Sequence, residues 1–220
     1  IRDIGVTGVQ TCALPIWSGN GSVTVASGGT FSFTPGTDFD ALARNETRVV
    51  SFTYTATDNS GAVSAPATAS ITVTGANDAP TISSAPAQHS GQVVEAGHNL
   101  AGGVVSGIPV ASGLLRASDI DAGSVLSWSV QGTPSTSYGS FALDASSGAW
   151  TYTLNNSLAA VDALSEGQSV TQSFQTRVTD QFGATADQTV TVTVIGTNDQ
   201  PTASNWTAST TENASVSGTL

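Results

Sequence analysis

A single cysteine, Cys12, excludes an internal disulfide and any cysteine-based zinc cluster. Basic residues are almost as scarce. The five present, Arg2, Arg44, Arg48, Arg116 and Arg177, face sixteen acidic side chains, for a formal charge of −11. Such a surface repels nucleic acid and anionic membranes. It serves solubility, and it also suits a cation bound through oxygen, because Ca²⁺ takes carboxylates and carbonyls and needs neither cysteine nor histidine. No apolar stretch is long enough for a membrane span, and there is no signal peptide with a basic start and an apolar centre, so export must be directed from elsewhere. No Gly-x-Ser-x-Gly elbow, His-Glu-x-x-His helix or phosphate-cradling loop occurs, and the sequence predicts no enzyme. His89 and His98 have no partner at metal-ligand spacing and read as solvated loop residues.

Charged residues make up only 10% and aromatics 6%, while Ser, Thr, Gly, Ala and Val dominate. This balance predicts short half-buried strands joined by small-residue turns. Residues 1–16, IRDIGVTGVQTCALPI, break from that texture and resemble translated sequencing-adapter read-through. They read as an artefact or a non-domain leader.

Self-comparison organises the rest. Asn77-Asp78-x-Pro80 recurs as Asn198-Asp199-x-Pro201, 121 positions on. Phe39-Asp40-Ala41-Leu42 answers Val161-Asp162-Ala163-Leu164, and Phe52 to Gly61 answers Phe174 to Gly183, at an offset of 122. Phe31-x-Phe33 answers Trp150-x-Tyr152. The chain therefore reads as the C-terminal half of a first repeat (17–80), a complete second repeat (81–197), and a linker with the start of a third (198–220).

Within the complete repeat, period-two alternation predicts strands at Tyr138 to Leu143, Trp150 to Leu154 and Val190 to Val194. Asp144-Ala-Ser-Ser-Gly148 is a hairpin turn between the first two. The stretch 155–166, with Leu158, Val161 and Leu164 at near-helical spacing, predicts a loop with one helical turn plugging an end of the domain. The fold class is all-β: tandem two-sheet Greek-key sandwiches of the immunoglobulin or cadherin type, with Trp128, Trp150, Tyr152 and Phe174 as core candidates. An alternative use for such aromatics is a sugar-stacking face, so a carbohydrate-binding or accessory module of a secreted enzyme stands as the rival reading.

Asp119-Ile-Asp121 aims two carboxylates from positions two apart, a spacing that calcium loops use. The same two residues also read as turn formers, and Asn77-Asp78 as a cap on the bend before Pro80. Asp58 and Asp180 open hairpin turns and read as structural.

Gly148-x-Trp150-x-Tyr152, Ala163-Leu164-x-x-Gly167, Val178-x-Asp180-x-x-Gly183 and Gly196-Thr-Asn198-Asp199-x-Pro201 together resemble the VCBS repeat, a cadherin-like unit of bacterial RTX-type adhesins. The resemblance spans residues 81–201 and, for its rear half, 22–80. It implies a spacer in a long secreted or cell-surface protein, exported by type I secretion, in adhesion and biofilm formation. Its partners would be the adjacent repeats and, through other regions, surface glycans or proteins. It further implies junctional Ca²⁺ held by acidic residues of three kinds: the linker residues Asp78, Asn198 and Asp199, the early Glu95, and the pair Asp119 and Asp121.

Overall fold

The computed structural model describes residues 11–12, 16–17, 20–26, 29–58, 60–135, 137–201, 203 and 205–218. Most of the segment 1–16 lies outside them. In chain order the strands are β1 (Thr11–Cys12), β2 (Ile16–Trp17), β3 (Ser22–Val25), β4 (Phe31–Thr34), β5 (Thr47–Tyr54), β6 (Ala56–Thr57), β7 (Ala67–Thr74) and β8 (Thr81–Ile82). There follow β9 (Ser90–Val94), β10 (Gly97–His98), β11 (Val104–Val105), β12 (Val110–Leu114), β13 (Ala117–Ser118) and β14 (Ser127–Val130). The last are β15 (Gly139–Leu143), β16 (Ala149–Leu154), β17 (Ser169–Thr179) and β18 (Thr185–Ile195), with one helical turn, α1 (Ala159–Asp162), before β17. The chain forms two compact units. One holds residues 1–83, 117–127 and 178–186; the other holds 84–116, 128–177 and 187–220.

In the second unit β12, β16 and β15 form one sheet, and β14, β17, β18 and β9 the other. Alternation along β16 buries Trp150, Tyr152 and Leu154 and exposes the threonines between them. Phe141 of β15 stacks on Phe174 of β17 at 4.3 Å between ring centroids, and Tyr152 lies 5.6 Å from Phe174. Val190, Val192 and Val194 of β18 are fully buried on the same side. Trp128 is buried as well, so it packs the core and offers no sugar platform. The turn Asp144 to Gly148 closes the β15–β16 hairpin, in which Phe141 faces Tyr152. Asp144 Oδ1 accepts the N–H and O–H groups of Ser146 and Ser147, which hold its carboxyl far below the usual range. Helix α1 is the plug that spacing foretold, with Val161 and Leu164 buried.

The leading segment closes this sandwich. Strand β9 lies parallel to β18, with Thr191 opposite Ser90 and Ile195 opposite Val94. Strand β12 pairs antiparallel with β16, with Val110 opposite Thr153.

The first unit repeats the rear of this plan. Strands β3 and β4 pair, β2, β5 and β7 form a sheet, and Phe39, Leu42 and Val50 make a small core flanked by Phe33, Ile71 and Val73. Strand β1 pairs with β6. In the same unit β8 pairs with β13, Thr81 facing Ser118 and Ile82 facing Ala117. That pairing brings residues 75–80 beside the loop that follows β13.

Candidate metal centre

Residues 75–80 run from the end of β7 to β8 without regular structure, and Pro80 is buried. The loop after β13 begins with an Asx turn, in which Asp119 Oδ1 accepts the Asp121 N–H at 2.9 Å. Asp121 Oδ2 then accepts the N–H of Asp78, also at 2.9 Å. The Asn77 side-chain amide donates to Asp180 Oδ2 at 2.7 Å and to the Asp78 carbonyl at 2.8 Å. Asp180 Oδ1 meanwhile closes its own turn by accepting the Phe182 and Ala184 N–H groups. Burial works to raise the Asp180 carboxyl, but the Asn77 amide and the N–H groups of Ala184, Phe182 and Gly183 outweigh it and leave the group below its ordinary value.

Three oxygens of this cluster are buried and have no donor: Asn77 Oδ1, Asp119 Oδ2 and Asp121 Oδ1. Asp121 as a whole is only 4% exposed. Among the described residues no arginine or histidine pairs with any of these carboxylates. Buried acceptors without donors, two of them on carboxylates without a counter-charge, carry a desolvation cost that native structures do not leave unbalanced. The donor set is purely oxygen, amide plus carboxylate, the set a Ca²⁺ ion takes. Among the described residues no three His, Cys, Asp or Glu side chains converge as a ready-made centre. What the cluster offers is mixed, an asparagine amide beside the carboxylates.

A second cluster lies in the other unit. Glu95, directly after β9, is 1% exposed, and its Oε2 accepts the Thr197 N–H at 2.9 Å. The Glu95 N–H donates to the Ile195 carbonyl, and His98 and Asn198 exchange backbone hydrogen bonds. Thr197 Oγ1 is buried without a partner. Beside it a cavity of about 370 Å³ is lined by Asp162, Leu164, Glu166, Thr197, Asn198 and Asp199 among others. Burial raises the Glu95 carboxyl above its ordinary value; the Thr197 N–H opposes this, while Asp199 and Asp162 add to it.

The profile of the bacterial cadherin-like domain matches residues 3–75 and, a second time, 77–196. The chain belongs to this family. Membership implies an adhesive or structural extracellular repeat module. Among solved structures, the chain is similar to Drosophila N-cadherin EC1-4, at 17% identity and a TM-score of 0.48, over 85% of this chain and 42% of that one. It is similar also to mouse cadherin-23 EC22-24, at 18% identity and a TM-score of 0.48, over 89% of this chain and 56% of that one. The chain thus spans about half the length of these structures. No curated protein matches it. No helix among the described residues is long and apolar enough to cross a membrane.

The cadherin-like chain divides the six expected ligands between its two clusters. Asp78, Asp119 and Asp121 meet in the first; Glu95, Asn198 and Asp199 meet in the second. Parallel pairing of β9 with β18 sets Glu95 beside Thr197, after the last strand of its own repeat. The sequence reading missed three contributors. Asp180 was read as a turn former, and one of its oxygens does close that turn while the other holds Asn77. Asp162 was marked only as part of the repeat, and Thr197 carried no signal.

The raised Glu95 carboxyl has a consequence of definite sign. A carboxyl whose folded pKa lies above its unfolded value binds its proton more tightly in the native state. Its contribution therefore favours folding as pH falls through the folded pKa, and is lost as pH rises. In chelator, Glu95→Gln should raise the melting temperature at pH 7 by a few degrees, and the advantage should fade toward pH 4. A pH series of thermal melts on parent and variant checks this; an advantage that grows on acidification would contradict it.

Proposed function

We propose that this chain is a stretch of a large bacterial surface or secreted adhesin of the RTX type, exported by type I secretion, in which cadherin-like sandwiches serve as spacers stiffened by Ca²⁺. The observation that carries the calcium reading is the set of donorless buried oxygens on Asn77, Asp119 and Asp121. These three, with Asp78 and Asp180 around them, are the residues that would hold the ion in the first unit; Glu95, Asp162, Asn198 and Asp199 are their counterparts in the second. A bound Ca²⁺ supplies the positive charge that lets buried carboxylates stand together. The residues themselves do the positioning. The Asp121 carboxylate fixes the linker backbone at Asp78, and Asp180 fixes the Asn77 amide so that its carbonyl oxygen stays available.

Extracellular sites of this class bind Ca²⁺ with dissociation constants of about 10⁻⁴ to 10⁻³ M. At roughly millimolar calcium each site then adds on the order of 1 kcal/mol. The effect is modest per site and accumulates along an array. Solution scattering tests the spacer role: the chain should be stiffer in millimolar CaCl₂ than in EDTA, and identical flexibility in the two would refute it.

A further inference from the structure

Residues 41–46, the turn that leads into β5, hold no ligand oxygen of the first cluster, yet the three segments that do hold them are all tied to this turn within the first unit. The linker is tied at Gly75: the Asn45 N–H donates to the Gly75 carbonyl at 3.1 Å, and the Gly75 N–H donates to the Glu46 carbonyl at 2.8 Å. The loop after β13 is tied one residue beyond Asp121, where the Ala122 N–H donates to the Ala41 carbonyl at 3.0 Å. The turn after β17 is tied two residues beyond Asp180, where the Arg44 guanidinium stands over the Phe182 ring, 5.7 Å from its centroid. Loop and turn are joined as well, since the Val125 N–H donates to Gln181 Oε1 at 2.7 Å.

The backbone of this turn is unusual. Asn45 has a φ of 65°, and among the described residues it alone, glycines aside, takes the left-handed conformation. Such an outlier persists where the surroundings over-determine it, and it marks functional segments. Here it lets the chain close on itself, Glu46 N–H to the Ala43 carbonyl at 2.8 Å, while Asn45 and Glu46 reach Gly75. The second unit uses the same device. Gly167, with a φ of 77°, stands where the repeat offset places Asn45; its N–H donates to the Gly196 carbonyl at 3.1 Å, and the Gly196 N–H donates to the Gln168 carbonyl at 2.9 Å. Arg44 is not repeated, for Glu166 stands in its place. The tie to the linker thus belongs to the repeat and does not need Arg44, whereas the tie to the Asp180 turn belongs to this unit.

We propose that residues 41–46 are a platform that positions the first oxygen cluster, with Arg44 as the positioning residue for the turn that carries Asp180. Asp119, Asp121 and Asp180 are like charges on two loops, and their repulsion works to part them. The platform opposes it from outside the cluster, by a backbone hydrogen bond to the loop and a guanidinium on the face of Phe182. Arginine suits the second task, because its planar cation stacks on an aromatic ring and keeps its charge at every working pH. A contact of this kind at a partly exposed ring shifts an opening equilibrium by about two- to fivefold. That these oxygens are held for a cation rests on the calcium reading above; that they are held does not.

The experiment follows amide hydrogen exchange by NMR on the full 220-residue chain in EDTA, for the parent, Arg44→Gln, Phe182→Leu, Phe182→Tyr and the double variant Arg44→Gln with Phe182→Leu. The Ala122 and Val125 amides should exchange about two- to fivefold faster in Arg44→Gln and in Phe182→Leu, and no faster in the double variant than in either single one. Phe182→Tyr keeps the ring face and should exchange as the parent does. The amides of β5 and β7, and those of Asn45 and Gly75, should not change in any variant. Three results would overturn the proposal. One is parent rates at Ala122 and Val125 in Arg44→Gln. Another is a uniform quickening that includes β5 and β7, which would make Arg44 a general stabiliser of the unit. The third is equal quickening in Phe182→Tyr and Phe182→Leu, which would remove the ring face as the partner of Arg44. A last arm adds millimolar CaCl₂ to the parent, where the Ala122 and Val125 amides should slow further. If calcium leaves them unchanged while the variants behave as described in EDTA, the platform stands and the calcium reading falls, so the two failures are told apart.

Discussion

Trp150→Ala should destabilise the second unit by about 3–5 kcal/mol, the range for removing a large aromatic from a closed core. The side chain is 1% exposed, lies 5.9 Å from Phe141, and sits under the leading segment at Gly91 and Gly113. Its loss also strands the Gln88 carbonyl, which accepts the indole N–H. Trp150→Phe separates the two terms. It keeps most of the ring and loses the hydrogen bond, so it should cost about 1–3 kcal/mol. Urea titration by circular dichroism measures both. A loss below about 1 kcal/mol for Trp150→Ala would mean that the leading segment does not close the sandwich in solution.

The second large effect is expected at Gly196. An added Cβ there would fall inside contact distance of the Leu164 side chain and of the carbonyls of Leu164 and Ser165. Gly75 stands in the same relation to the carbonyls of Leu42 and Ala43. The glycine before each linker thus packs against loop carbonyls, those of Leu42 and Ala43 in one unit and of Leu164 and Ser165 in the other, and the repeat needs no side chain there. Backbone atoms cannot step aside cheaply, so Gly196→Ala should cost about 1–3 kcal/mol as an overpacked site. It should also shift Thr197, and with it the hydrogen bond to Glu95. Thermal melts of parent and variant check this. A neutral result would show that the plug yields freely, and would remove the reason for glycine at both positions.

These two residues also mark what sequence could and could not reveal. The strands, the hairpin at Asp144 and the plug were legible, because alternation and turn chemistry are local and the repeat supplied each signal twice. The core role of Trp128, Trp150, Tyr152 and Phe174 followed from the same alternation. The first carboxylate cluster was legible only by half. Asp119 and Asp121 announce themselves by spacing, and Asp78 by its repeated motif. Asp180 does not, because its contact to Asn77 spans 103 positions and its turn gives a sufficient local reason for an aspartate. Glu95 meets Thr197 for a topological reason: a parallel strand delivers its end beside the last strand of the same repeat, and parallel pairing leaves no local mark.

The most direct test of the account is thermal unfolding of the full chain in excess EDTA, in millimolar CaCl₂ and in millimolar MgCl₂, for the parent and for Asp119→Ala with Asp121→Ala. The account predicts a calcium-specific rise of about 2–4 °C, the equivalent of roughly 1 kcal/mol in a chain of this size. The rise should be absent in magnesium and lost or clearly reduced in the double variant. No rise with calcium, or the same rise in parent and variant, would contradict it and return the buried carboxylates to turn formation alone.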